Sequence, residues 1–350
     1  MSNKNITLSA NEKIGLVSNL STMLSAGIPI LEAVDSLLDG AKGNQKKVLQ
    51  MLYDDVSQGQ HVYTSFEKFP NIFNPVTIQI IKAAEEAGTL EVSLKDIKED
   101  IRKEAEFADK IRGAMIYPSF ILCVFLGVMV LLLTFVVPRI STVFSRLKVD
   151  MPLPTRIMIA ISNFILTYQI GTILIVILIV FVLIFLYKTQ KKAVTHFIAS
   201  LPVLTGLVRM IDLTKFSRSL FLLLNAGIPI TTALELTENT VSRKDVAKAI
   251  ARCREMVGAG KKMSDGFKEA KNIFPSIMIK ITEAGERSGS LDKSMRDISE
   301  YLDYQVENSL KTATALIEPL MLVIVGICVG GMMMAIIAPI YSIIGQVAGR

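Results

Sequence analysis

Apolar residues recur along much of this chain at three- and four-residue intervals. Leu16, Leu20, Met23 and Leu24, then Leu31, Val34, Leu37 and Leu38, fall on one face of a 3.6-residue helix. The same spacing returns two hundred residues later with Phe216, Leu220, Leu223 and Leu224, followed by Ile230, Ala233 and Leu234. Strand signals are missing, so the pattern predicts helices throughout. Three stretches are instead continuously apolar: Ile116–Val137, Ile157–Tyr187 and Leu316–Pro339, with Glu318 as the only charged residue in them. Each reaches the roughly 20 apolar residues needed to cross a hydrocarbon core about 30 Å thick. The middle stretch exceeds one crossing, and its first half carries Ser162, Asn163, Tyr168 and Gln169. The crossing is therefore expected at 170–187, behind an interfacial helix.

The chain also repeats itself. Ala26-Gly27-Ile28-Pro29-Ile30 returns as Ala226-Gly227-Ile228-Pro229-Ile230, and from Gly59 onward the offset is 201. Gly59 then matches Gly260, Asn71-Ile72-Phe73 matches Asn272-Ile273-Phe274, and Glu85, Gly88 and Leu90 match Glu286, Gly289 and Leu291. Pro118 and Pro138, which bracket the first apolar stretch, fall on Pro319 and Pro339, which bracket the third. One register kept over so many positions marks a duplicated unit of about six helices that includes a membrane span.

Two turn signals punctuate each copy. Gly27 and Gly227 can take the left-handed conformation that closes a helix, and Pro29 and Pro229 have the fixed φ that opens the next. Gly88 and Gly289 are expected to end a later helix, with Thr89 and Ser290 capping the one that follows. Glu85 and Glu286 beside that turn either cap or pair internally, or, with Arg287, contact a partner. In the third apolar stretch Gly326 and Gly330 have the small-x-x-x-small form that lets helices pack closely.

Composition sharpens this picture. Hydrophobic residues make up 51% of the 350, mean hydropathy is +0.47, and both favour membrane embedding. Net charge is +6. It is uneven, with 13 Lys and Arg against 16 Asp and Glu over 1–112, and 20 against 14 over 188–315. The halves can therefore attract each other or choose different partners, and the basic excess suits anionic lipid headgroups. No interleaving of aromatic and basic residues suggests nucleic acid. The polar amino terminus, Met1–Ala10, lacks the core of a signal peptide, which sets the expected topology. A cytoplasmic bundle spans 1–112, a transmembrane helix 113–138, an extracytoplasmic loop 139–169, and a second transmembrane helix 170–187. A second cytoplasmic bundle spans 188–314, a third transmembrane helix 315–341, and an outer tail 342–350. Positive flanks give this orientation mixed support, because Arg139, Arg146, Lys148 and Arg156 fall in the outer loop.

Catalytic chemistry finds little footing. Gly258-Ala259-Gly260-Lys261-Lys262 has Glu255 where a phosphate loop needs its first glycine, and Lys262 where it needs a hydroxyl. His61 and His196 are isolated, and Cys123, Cys253 and Cys328 form no close pair. No catalytic, cofactor or metal residues are assigned. The spans lack the mid-membrane charges of a carrier.

Taken together, Phe216-Ser217-Arg218-x-Leu220, Leu224-x-Ala226-Gly227-Ile228-Pro229-Ile230, Phe274-Pro275 and Gly285-Glu286-Arg287-Ser288-Gly289-x-Leu291 resemble the inner-membrane platform proteins of type II secretion systems and type IV pilus machines, the GspF/PilC family. The resemblance covers nearly the whole chain. The first copy departs from it at Ala84 and Ala87, where the pattern has Gly and Ser, and lacks a Phe-x-Arg ahead of Leu20. The resemblance implies a non-enzymatic, oligomeric platform in the bacterial inner membrane, multi-pass with a cytoplasmic amino terminus. Its implied partners are a cytoplasmic hexameric ATPase, pilin or pseudopilin subunits, other inner-membrane assembly proteins and the bilayer. A start close to the first bundle tilts the expectation toward pilus assembly over secretion.

Overall fold

The computed structural model describes residues 6–139, 141–142, 153–168 and 202–348. All regular structure among them is helical. The first half runs α1 (Ala10–Ser25), α2 (Ile30–Leu38), α3 (Gly43–Ser57), α4 (Val62–Glu67), α5 (Pro75–Ala87) and α6 (Leu90–Leu131). After α7 (Leu153–Thr167), the second half runs α8 (Pro202–Asn225), α9 (Ile230–Glu238), α10 (Lys244–Gly258), α11 (Met263–Glu269), α12 (Ser276–Ser288) and α13 (Leu291–Ala348).

Local chemistry sets the boundaries. Ser9 and Glu12 form a capping box: the Ser9 hydroxyl accepts from the Glu12 N–H at 3.3 Å, and the Ser9 N–H donates to the Glu12 carboxylate at 2.7 Å. Two of the four orphan donors of α1 are satisfied this way. Asn74 caps α5 by accepting from the Thr77 N–H at 2.8 Å, with Pro75 at the first helical position. The offset between halves is 200 through α2 and already 201 at the first residue of α3, Gly43 against Lys244. The extra residue therefore lies in the α9–α10 connection, ahead of the Gly59 turn. There Asp212 holds the longer loop by accepting from the Ser242 and Arg243 N–H groups at 3.0 and 2.7 Å. Burial pushes its carboxyl up, and those two hydrogen bonds oppose the shift.

The described parts of 1–109 and 195–309 form one compact unit, and 110–194 with 310–350 form another. Sequence reasoning gives each half its own core. In the first unit the cores are continuous, a single buried cluster running from Leu8 through Phe66 and Phe73 to Phe216, Phe267, Phe274 and Leu302. The reason is that α5 packs against α8 and α9 as well as against its own half. Each half stacks one pair of phenylalanines at its centre, Phe66 on Phe73 and Phe267 on Phe274, with ring centroids 4.4 and 4.1 Å apart.

In the second unit, helix continues from α6 through a π-helical turn, Leu132–Val136, and α7 packs Met158 and Ile159 on Val137 beside it. Among the described residues, two helices are long and apolar enough to cross a membrane. Leu90–Arg139 reaches a mean hydropathy of 3.1, and Leu291–Gly331 reaches 2.2. Their apolar side chains, among them Phe120, Phe135, Leu322 and Ile327, are exposed. Exposure of that kind suits lipid and not water. The crossing expected at 170–187 lies outside the described residues. α13 stays helical to Ala348, into the segment expected as a tail.

Candidate functional site

The repeated Ala-Gly-Ile-Pro-Ile elements are helix corners. Gly27 and Gly227 have φ of +81° and +78°, a conformation costly for residues with a Cβ. In each, the isoleucine N–H after the glycine reaches back to the helix, Ile28 to the Met23 carbonyl and Ile228 to the Leu223 carbonyl, both at 3.0 Å. Pro29 and Pro229 stand at the N-cap positions of α2 and α9. Gly88 and Gly289 end α5 and α12 in the left-handed conformation, with φ of +70° and +68°.

The structure brings Glu85 and Glu286 to equivalent places. Glu85 accepts from the Val62 and Tyr63 N–H groups at 2.8 and 3.2 Å, and its Oε1 lies 3.3 Å from the His61 Nδ1. Glu286 accepts from the Met263 N–H at 2.5 Å, from the Ser264 N–H at 3.3 Å and from the Ser264 hydroxyl. Each carboxylate thus caps the N–H groups that begin a short helix, α4 or α11, and have no partner within it, where the helix dipole also favours negative charge. These are internal bonds in both copies. Arg287 differs: its side chain is 70% exposed and pairs with Glu283 at 2.7 Å, one turn back on α12.

Close packing fixes the second corner. A Cβ added to Gly285 would lie 2.1 Å from the Ser294 Oγ and 2.7 Å from its Cβ, so α12 and α13 approach only because that position is bare. Gly266 is bare against Cys253 in the same way. Burial, with the Glu286 charge nearby, pushes the Cys253 thiol up to about 12. A thiol held so far from ionisation packs as a small apolar group.

Sequence reasoning missed the seam between the halves. Arg218 on α8 approaches Asp100 on α6 at 3.7 Å and donates to Asp303 on α13. Asn225 donates to Asp96 at 3.2 Å along the same seam. Beside Arg218 lies a cleft of about 330 Å³, lined by Asn74, Asp100, Glu104, Lys215, Asn239 and Asp303. Burial pushes Asp100 up to about 6 against the pull of Arg218. The signals in the chain were the opposite net charges of the two halves and Arg218, which has Ser18 at the corresponding position of the first copy. Among the described residues, no three His, Cys, Asp or Glu side chains come together as a metal site. Gly258-Ala259-Gly260 is the corner between α10 and α11, with Gly260 at φ +78°. Around Gly326 and Gly330 nothing lies within 4 Å of where a Cβ would stand.

Helical bundles that run on into long apolar helices are the frame in which these corners sit, and comparison with known proteins specifies the family. The model of the family "Type II secretion system (T2SS), protein F" matches residues 16–138 and again 216–339. The chain belongs to that family. It is 29% identical to the type IV pilus assembly protein PilC of Pseudomonas aeruginosa, over 94% of this chain and 89% of the relative. The PilC of Thermus thermophilus is 28% identical over 94% and 82%. The type II secretion system protein F of Pseudomonas aeruginosa is 28% identical over 96% and 84%.

Proposed function

We propose that this chain is the inner-membrane platform of a type IV pilus machine, coupling a cytoplasmic ATPase to the extraction of pilin subunits and the growth of a fibre. The observation that carries the reading is that each of the two segments matching the family ends in a helix long and apolar enough to cross a bilayer, Leu90–Arg139 and Leu291–Gly331. On this reading the chain is a duplicated module with a third crossing at 170–187, and both bundles and the amino terminus face the cytoplasm. It works as an oligomer beside other inner-membrane assembly proteins and catalyses nothing itself. Pilus relatives at 29% and 28% identity over most of the chain support the choice of machine.

Glu85 and Glu286 keep α4 and α11 seated, so partner contact at these corners falls first to side chains that project from them, such as Arg287. Lysine at 85 or 286 would undo a helix cap as well as any contact, whereas Arg287→Gln keeps both caps and removes only the charge that pairs with Glu283 on the surface. A second reading, the equivalent platform of a type II secretion system, is favoured by the 28% identity to a secretion protein F over 96% of the chain. Deleting the gene and complementing it, with surface fibres imaged by electron microscopy and secreted proteins assayed in parallel, separates the two. Loss of fibres with secretion intact supports the pilus reading. Loss of secretion alone supports the other, and loss of neither overturns both.

A further inference from the structure

Arg218 stands where both long helices meet the second bundle. It projects from α8 with its side chain 15% exposed, its Nε 3.7 Å from the Asp100 carboxylate of α6, and a terminal nitrogen donating to Asp303 of α13. The arrangement is made once, because the corresponding positions of the other half are Ser18, Tyr301 and Arg102. Arg102 pairs within its own helix, with Glu99 and Glu106. Arg218, Asp100 and Asp303 all line the adjacent cleft of about 330 Å³.

We propose that Arg218 is a latch joining α6 to α13, the residue through which a displacement of the second bundle reaches both helices that run on into the apolar segments. That those segments cross a membrane rests on the function proposed above; the junction itself does not. A planar guanidinium can hold two carboxylates at once, which a lysine ammonium does less well. Half-buried as these carboxylates are, such a pair fixes geometry more than it adds stability.

The charges around Asp100 set the latch near balance. Arg218 and Lys215 face it from α8, Asp303 from α13, and Lys103 and Glu104 from α6, with Arg296 and Glu300 of α13 nearby. Burial raises its carboxyl from 3.8 to about 6, so protonation favours the closed junction. That contribution is complete below about pH 4 and is lost as pH rises through about 6. At neutral pH Arg218 therefore holds the junction shut around a charged Asp100 that resists burial.

Hydrogen exchange read by mass spectrometry on the full-length chain in detergent micelles, corrected for the intrinsic pH dependence, tests the latch. Arg218→Met is expected to speed exchange at about pH 7.5 in both 96–104 and 297–306 by roughly tenfold, the size of one lost charge-assisted hydrogen bond. Asp303→Asn should do the same to a smaller extent, and Arg218→Lys should fall between wild type and Arg218→Met. Asp100→Asn should slow exchange in both segments and remove their difference between about pH 5.5 and 7.5. Faster exchange in only one segment, or opening by Asp100→Asn as large as by Arg218→Met, overturns the latch. If Arg218→Met does not fold, the opposite signs expected of the two aspartate variants still decide it. Fibre formation is not the readout, so failure of the platform reading and failure of the latch are separable.

Discussion

The two bundles share their skeleton and differ in their polar interior. In the first, Asp55 is bonded by the Ser65 hydroxyl at 2.7 Å and by Lys68 at 2.6 Å, in a side-chain environment only 10% exposed for the aspartate. In the second, the three equivalent positions are Met256, Gly266 and Glu269, and the space is filled by Met256 and Cys253 instead. Conversely, the second bundle buries the Ser217 and Thr282 hydroxyls without partners, where the first has Val17 and Ile81. The first packs Ala84 against the α5–α6 corner, whereas the second needs Gly285. What both keep is the glycine corner, the phenylalanine stack and the carboxylate cap. The lesson is that backbone geometry sets this fold, and the core chemistry is free to vary around it.

That lesson can be broken at four points, with the opening free energy of each bundle read by native-state hydrogen exchange on the intact chain. The cap should matter most. Glu286→Ala strands two N–H groups and a hydroxyl and should destabilise α11 and its surroundings by about 3 kcal/mol, against about 2 kcal/mol for Glu85→Ala. Equal, negligible losses would remove the caps from the shared framework. Next, Gly285→Ala should cost the second bundle about 2 kcal/mol by overpacking against Ser294, while Ala84→Gly costs the first only about 1 kcal/mol of helix propensity. A tolerated Gly285→Ala would show that the α12–α13 approach can relax. Third, Lys68→Met leaves Asp55 without its cation and should cost about 1 kcal/mol, limited because Lys68 is partly exposed and water can replace it. Asp55→Met, which imports the second bundle's residue, should cost less than that single loss; a larger cost would make the polar set essential to the first core. Last and smallest, Thr282→Val removes an orphan hydroxyl and should stabilise the second bundle by up to about 1 kcal/mol. Destabilisation would mean that hydroxyl has a partner in solution.

The corners were legible because Gly27, Pro29, Gly88 and their counterparts act through local backbone geometry that one residue imposes. The helices were legible from apolar spacing, and the placing of Glu85 and Glu286 beside a turn from the repeat. Their bonding was not, because a carboxylate that caps a helix more than twenty residues away looks the same in sequence as one that awaits a partner. The seam was illegible for a related reason. Arg218, Asp100 and Asp303 come from three separate helices, and Asp100 and Asp303 occupy what read as ordinary solvated positions on charged helices. The shared core followed the seam: an apolar face on α5 says that it is covered, without saying whether its own bundle or the next one covers it.

The π-helical turn at Leu132–Val136 leads in another direction. Within it the Leu133 carbonyl accepts from the Ser162 hydroxyl of α7 at 2.5 Å. Near the end of an apolar run, water is scarce and an unmet carbonyl is costly. The donor is synthesised 29 residues after the acceptor, so, where this apolar run crosses the bilayer as proposed above, it would lack that bond until α7 arrived. On that reading the order of biogenesis is constrained: the end of the apolar run and the whole of α7 are best delivered together, as one hairpin.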